Sequence, residues 1–254
     1  MRISATIICL NEADKIGQCL QSLLPVADEL VVVDSGSTDE TVAIAESFGA
    51  KVTYHAFEGH IQQKNFASSL ASHDWILSLD ADEALSPELA ASILEVKQYK
   101  QQAFKAFSFN RLNNYCGQWI KHGGWYPDRK VRLFQRETGH WGGTNPHDKI
   151  VLKVGTPLSH LKGDLLHYTY EKPEEFDRQN ERFAEAAAKA LFAQGKKTFF
   201  GQPHLKAAVR WFKGYVLQAG FLDGAAGWAI ARGNAWYTFE KYRRLAQLKQ
   251  NHVC

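Results

Sequence analysis

Cysteine is scarce and unpaired in this sequence. Its four cysteines, Cys9, Cys19, Cys116 and Cys254, are scattered with no C-x-x-C pair, which argues against a zinc site and gives no disulfide framework. Cys9 falls in an apolar run and reads as a small buried hydrophobe. No stretch approaches the roughly 18 uninterrupted apolar residues of a spanning helix. The chain opens on a strand-like segment without a charged n-region and an apolar h-region, so no signal peptide is expected and the cytoplasm is the expected compartment. No Gly-x-Gly-x-x-Gly follows the first apolar run, which speaks against a dinucleotide-dependent dehydrogenase. Internal repeats and low-complexity tracts are absent as well. The formal net charge is only +3, too small to imply a nucleic-acid partner.

What is present is an ordinary globular mix. The 254 residues are 45% hydrophobic and 22% charged, which excludes disorder and collagen and suits one large domain, or one with an appendage. The charge is unevenly spread. From His204 onward eight Lys/Arg face two Asp/Glu, leaving 22 basic against 25 acidic residues before that point. A mildly acidic body thus carries a basic tail.

The first hundred residues alternate strand and helix. Thr6 to Leu10, Leu30 to Asp34, Lys51 to Tyr54 and Trp75 to Asp80 read as strands, the apolar ones buried on both faces. Helices are expected from Ile16 to Leu24, from a capping box at Ser37 and Glu40 through Phe48, from Gln62 to Ala71, and after Ser86-Pro87. This alternation implies a mixed, mostly parallel, doubly wound α/β sheet, whose ligands bind beyond the carboxyl ends of the strands. Asn11, Glu12, Asp34, Asp80 and Asp82 all fall at such ends. From Ala106 the texture changes. Short segments at Ala106 to Phe109, Val131 to Phe134 and Lys149 to Leu152 read as the antiparallel half of the sheet. Glu174 to Ala193 reads as a helix, and two more are expected after it, separated near Gly220 to Gly227. The expected division is one domain over 1–195, with one half to about 105 and a second over 106–195, followed by an aromatic and basic helical extension over 196–254.

Two acidic corners carry chemistry. Asp80-Ala81-Asp82-Glu83 follows a buried strand, where paired carboxylates can face a divalent cation and its phosphates, magnesium or manganese preferring such hard oxygen ligands. The same pattern also serves simply as a helix cap. Asp34 closes another strand before Ser35-Gly36-Ser37-Thr38-Asp39, a place where an acid can accept from a nucleoside. Asp39 is read as a turn and cap residue only.

Together, Ser4-Ala5-Thr6-Ile7-Ile8-Cys9-Leu10-Asn11-Glu12, the Val-Val-Val-Asp34-Ser-Gly-Ser-Thr-Asp39-Glu-Thr segment and the Leu-Asp80-Ala-Asp82-Glu83 corner resemble the nucleotide-sugar motifs of family-two glycosyltransferases of the GT-A fold. Trp125 to Phe134, Pro146-His147-Asp148-Lys149 and Leu166-His167-Tyr168 extend the resemblance to the bacterial lipopolysaccharide-core β-1,4-glucosyltransferases. That subgroup usually has His-Glu where this chain has His147-Asp148, a shift of one methylene at a position where placement matters to rate.

The resemblance implies an inverting, metal-dependent hexosyltransferase moving glucose from UDP-glucose onto an inner-core sugar such as heptose. Asp148 is then the general base, and Asp82 and His167 hold the magnesium or manganese ion that neutralises the departing diphosphate. Asn11, Glu12, Asp34, Lys64, Asp80, Lys130 and Arg132 contact the donor, with His147 beside the base. Read singly, several of these residues admit other roles. Lys64 equally reads as an exposed helix residue and Arg132 as part of a solvated strand face. Within the class, a polyprenyl phosphate or a peptide is an alternative acceptor. Outside it stand a haloacid-dehalogenase-type phosphohydrolase, disfavoured by the lack of a Gly-Asp-Gly corner, and a non-catalytic membrane-surface module. The tail interleaves aromatics such as Trp211, Trp228 and Trp236 with Lys206, Arg210, Lys213 and Arg232. That pattern suits an anionic membrane surface bearing a lipid-linked saccharide acceptor, so the expected location is peripheral, on the inner face of the cytoplasmic membrane. Packing onto the domain or a subunit interface would use the same residues.

Overall fold

The β-branched runs near the N-terminus form the parallel half of a nine-stranded sheet in a computed structural model that describes residues 1–99, 103–144 and 147–250. Pro146 and Cys254 lie outside the described residues, as does the side chain of His147. Strands β1 (Ile3–Cys9), β2 (Glu29–Asp34), β3 (Lys51–Tyr54) and β4 (Trp75–Asp80) alternate with helices α1 (Ala13–Leu23), α2 (Thr41–Ser47) and α3 (His60–Leu70). They pair in parallel in the order β3-β2-β1-β4. Cys9 stands opposite Asp34, and Ile8 opposite Asp80. Register alone therefore brings the last residues of β1, β2 and β4 to one edge.

The chain continues through β5 (Glu83–Leu85), α4 (Pro87–Tyr99), β6 (Ala106–Tyr115), β7 (Gln118–Trp119), β8 (Asp128–Gln135), β9 (Gly139–Thr144), β10 (His147–Leu152) and β11 (Leu158–Tyr170). The strand order runs on from β4 through β8, β6 and β11 to β5, with β7 on β6. Here β8 is antiparallel to both β4 and β6, and β5 to β11. The mixed α/β class is as expected. The segment Lys149 to Leu152 is not part of this sheet; it belongs to β10, which pairs only with β9 in a separate two-stranded ribbon among the described residues.

Three helices follow, α5 (Pro173–Ala193), α6 (Gln202–Phe212) and α7 (Gly224–Gln250), so the expected C-terminal helices form. Packing divides the chain at other points than 195. One compact unit comprises Met1–Arg111 with Asp128–His167, and the second comprises Leu112–Pro127 with the described residues from Tyr168 on. Helix α5 packs with α7 rather than with the sheet domain to which the sequence reading assigned it. The first unit has a core of Ile7, Leu20, Val32, Leu79, Phe107 and their neighbours. The second is centred on Tyr115, Ile120, Phe176 and Ile230. In that unit α7 lies so close to the preceding turn that a Cβ at Gly227 would stand 1.8 Å from the Gly220 carbonyl oxygen.

Local capping departs from the sequence reading at one place. Helix α2 begins at Thr41 behind Glu40, with no side-chain cap. Ser37 instead donates its hydroxyl to Asp34 Oδ1 at 2.5 Å, because the nearer carboxylate competes successfully for a short hydroxyl. At α4 the expected cap holds: Ser86 Oγ accepts the Leu89 N–H at 3.2 Å.

Candidate active site

At the carboxyl edge of β1 and β4 the first unit opens a cavity of about 530 Å³. Glu12, Lys64, Asp80, Asp82, Arg111, Asp148 and His167 all line it. Six of those seven were expected from the sequence, and the seven come from six separate stretches of chain.

Lys64 is the hub. It sits on α3 with only 4% of its surface exposed, so its alternative reading as a solvated helix residue is wrong. Its Nζ lies 2.8 Å from Asp80 Oδ1 and 2.7 Å from Asp148 Oδ2. The same ammonium stands 4.3 Å from the centre of the Trp141 ring, on whose opposite strand partner Ile150 the β9–β10 ribbon is built. One buried cation thus bridges a strand end and the ribbon that carries Asp148. Burial drives the Asp80 carboxyl pKa upward, but the charges of Lys64 and Arg132 overcome this and hold it well below the usual carboxylate range.

Arg132 is also buried, at 3% exposure, which rules out the solvated strand face. Its Nη2 donates to Glu83 Oε1 at 2.8 Å and to Asp80 Oδ2 at 3.2 Å, and its guanidinium lies 4.9 Å from the Trp141 ring centre. Burial lowers the pKa of this guanidinium, and the carboxylates of Glu83 and Asp80 more than restore it, so the cation is firmly held. Glu83, itself wholly buried, accepts the Asp80 backbone N–H through Oε2 at 3.0 Å. The Asp80–Glu83 corner is therefore tied from both sides.

The second acidic residue of the corner faces a histidine. His167 Nε2 lies 3.2 Å from Asp82 Oδ2, brought there by the register that sets His167 opposite Glu83. No group of three or more His, Cys, Asp or Glu side chains suited to a metal occurs among the described residues. The pair offers one carboxylate and one imidazole as candidate donors. It fits magnesium or manganese, which take one or two protein ligands and complete their shell with water and substrate phosphate.

Asn11 and Asp34 are engaged locally. Asp34 accepts the N–H groups of Gly36 at 2.8 Å and Ser37 at 2.9 Å, a turn that Gly36 permits through its φ of +100°. Burial raises the Asp34 carboxyl, and the hydrogen bonds from Ser37 and Gly36 bring it below its ordinary range. Asn11, itself at φ +54°, accepts the Thr38 N–H at 2.8 Å. Both side chains shape the rim loop. Lys130 pairs with Asp128 at 3.0 Å and lines an adjoining cavity of about 460 Å³ that shares Lys64, Asp80, Arg111 and Asp148 with the first.

Sequence reasoning missed Arg111, Glu83 as an anchor, and Trp141. Glu83 was within the acidic corner, so its buried strand context was the available signal; nothing in the Gly-rich surroundings of Trp141 marked it as the platform beneath two cations.

The chain is similar to several known proteins. The model of glycosyl transferase family 2 matches residues 4–151. An uncharacterized glycosyltransferase of Rickettsia felis is 32% identical over 98% of this chain and 90% of its own length. The lipopolysaccharide core biosynthesis glycosyltransferase LpsC of Rhizobium meliloti is 26% identical over 99% of this chain and 93% of its own. Among solved structures, residues 1–349 of Staphylococcus aureus TarS in complex with UDP align over 99% of this chain and 92% of that one, at 15% identity and a TM-score of 0.47.

Proposed function

The chain belongs to glycosyl transferase family 2, and from that premise we propose that it is an inverting, metal-dependent hexosyltransferase that moves glucose from UDP-glucose onto an inner-core lipopolysaccharide sugar such as heptose. The observation that carries the reading is the convergence of Asp148, Lys64, Asp80, Asp82 and His167 on one cavity. The full-length likeness to LpsC supports the lipopolysaccharide acceptor. The phosphohydrolase alternative falls with the family assignment.

In this mechanism the acceptor hydroxyl attacks the anomeric carbon from the face opposite the diphosphate. The new C–O bond forms as the bond from the anomeric carbon to the phosphate oxygen breaks, which inverts the anomer. Asp148 takes the hydroxyl proton on a carboxylate oxygen. Lys64, 2.7 Å away, orients that carboxylate. Asp82 and His167 would hold the divalent cation, which supplies Lewis-acid neutralisation of the leaving diphosphate. Arg132 acts at one remove, positioning Asp80, while Glu12 lines the donor side of the cavity and Asn11 and Asp34 maintain the rim loop against which the nucleoside rests.

The acceptor reading includes a membrane surface. Phe212, Trp228 and Trp236 are exposed in the second unit together with Lys206, Arg210 and Lys213, a combination suited to anionic lipid. No helix among the described residues is long and apolar enough to cross a membrane, so the contact is peripheral.

A panel of nucleotide sugars, each with and without chelator and scored by hydrolysis or thermal shift, tests the proposal. A response to UDP-glucose that chelation abolishes is expected; indifference to every nucleotide sugar would refute it. Adding heptosyl, polyprenyl phosphate and peptide acceptors in turn then separates the acceptor classes.

A further inference from the structure

The second unit holds a cavity of its own, about 540 Å³ in volume, walled by α5, α6, α7 and Trp125. Four cations line it, Lys206, Arg210, Lys213 and Lys241, and no carboxylate does among the described residues. None of the four has an ion-pair partner among those residues, although Arg243 and Arg244 nearby are both paired with Glu240. Four like charges without a counter-ion repel one another, an arrangement that an anionic occupant would relieve.

One further observation points to a ligand. Lys241 stands 5.0 Å from the Tyr237 ring centre and 5.1 Å from that of Tyr242, so the rings fix its ammonium among the other cations of the cavity. Burial lowers the pKa of that ammonium, and the neighbouring charges of Arg210 and Lys206 lower it further.

The surroundings indicate the rest of the ligand. Along α6 and its continuation, Leu205, Val209, Phe212 and Val216 are exposed at spacings of four, three and four, one apolar stripe of the helix. Lys206, Arg210 and Lys213 form the adjacent stripe facing the cavity. Anionic and apolar recognition thus lie side by side.

We propose that this cavity binds the phosphomonoester headgroup of a lipid, with Lys206, Arg210, Lys213 and Lys241 around the phosphate and the α6 stripe against the acyl chains. Four cations match a dianionic monoester better than a singly charged diester, and the volume accommodates a headgroup rather than a bare phosphate. Naming a lipid as the source rests on the membrane-surface reading above; the anion site itself does not.

Cosedimentation of the full chain with vesicles of phosphatidylcholine containing either phosphatidic acid or phosphatidylglycerol, matched for surface charge, tests this. Phosphatidic acid vesicles should bind at least about tenfold more tightly. Lys241→Met should erase that preference while leaving phosphatidylglycerol binding within about twofold, and Lys241→Arg should retain it, which separates recognition from misfolding. Leu205→Ser with Phe212→Ser should weaken binding to both vesicles. Equal binding of the two lipids, or a preference that survives Lys241→Met, overturns the headgroup site and leaves the membrane reading standing. Failure to bind any vesicle removes both the lipid assignment and the membrane reading. Saturable binding of inorganic phosphate or glycerol phosphate without vesicle binding overturns the lipid assignment in favour of a soluble ligand.

Discussion

Lys64 Nζ lies 2.7 Å from Asp148 Oδ2, although 84 residues separate the two in sequence. This contact joins α3 to the ribbon bearing the candidate base. Lys64→Met should leave Asp80 and Asp148 without their shared cation. A loss of about 2–3 kcal/mol in urea unfolding is expected, below the roughly 3–5 kcal/mol of a fully enclosed pair, because the Asp80 side chain retains 25% of its surface. Adding Asp148→Asn should recover part of the loss through coupling of the two sites. Strict additivity in that double variant would show that the pair does not interact.

Asp148→Asn preserves shape and removes the proton acceptor. If Asp148 is the base, kcat falls by about 10²–10⁴-fold while UDP-glucose affinity stays within about threefold, as steady-state kinetics beside donor calorimetry would measure. A comparable loss in affinity with kcat unchanged would make Asp148 a donor ligand instead.

Arg132 was expected at the diphosphate and is found holding the acidic corner. Arg132→Met should cost about 3 kcal/mol in thermal or urea unfolding, because it leaves the buried Glu83 with only the longer 3.5 Å contact of Arg111 in place of its 2.8 Å partner. A solvent-facing phosphate ligand would change stability by no more than about 0.5 kcal/mol.

These outcomes bear on how far the sequence could be read. The parallel strands were legible because Val31, Val32, Val33 and their counterparts in β1 and β4 are buried on both faces, which demands an unbroken apolar run. Asp80 and Asp82 were legible because a carboxylate just past such a run sits at the binding edge. Arg132 was not, since alternation along a strand gives its faces but not what covers them, and here Trp141 does. The place of α5 was illegible for the same reason: its amphipathic pattern announces a partner without saying that the partner is α7. Ser37 and Glu40 matched a capping box in spacing alone, while Asp34 held the hydroxyl.

Glu29 supplies a pH dependence. Burial raises its pKa, and hydrogen bonds from Lys51, Ser4 and Ser72 overcome that, bringing it from 4.5 to about 2. The folded-state value is the lower one, so the contribution is complete above the unfolded pKa near 4.5 and disappears as pH falls through about 2. Wild type should exceed Glu29→Gln in urea stability by on the order of 2 kcal/mol at pH 7, with the gap closing between pH 4.5 and 2. A gap that does not change with pH would contradict the assignment.

In the proposed mechanism Asp82 and His167 would hold a cation that neutralises the donor's diphosphate. Calorimetric titration of UDP-glucose into the full chain with manganese, repeated after chelation and with Asp82→Asn, tests this directly. Affinity should fall at least about tenfold in both cases. Equal affinity in all three titrations would contradict it.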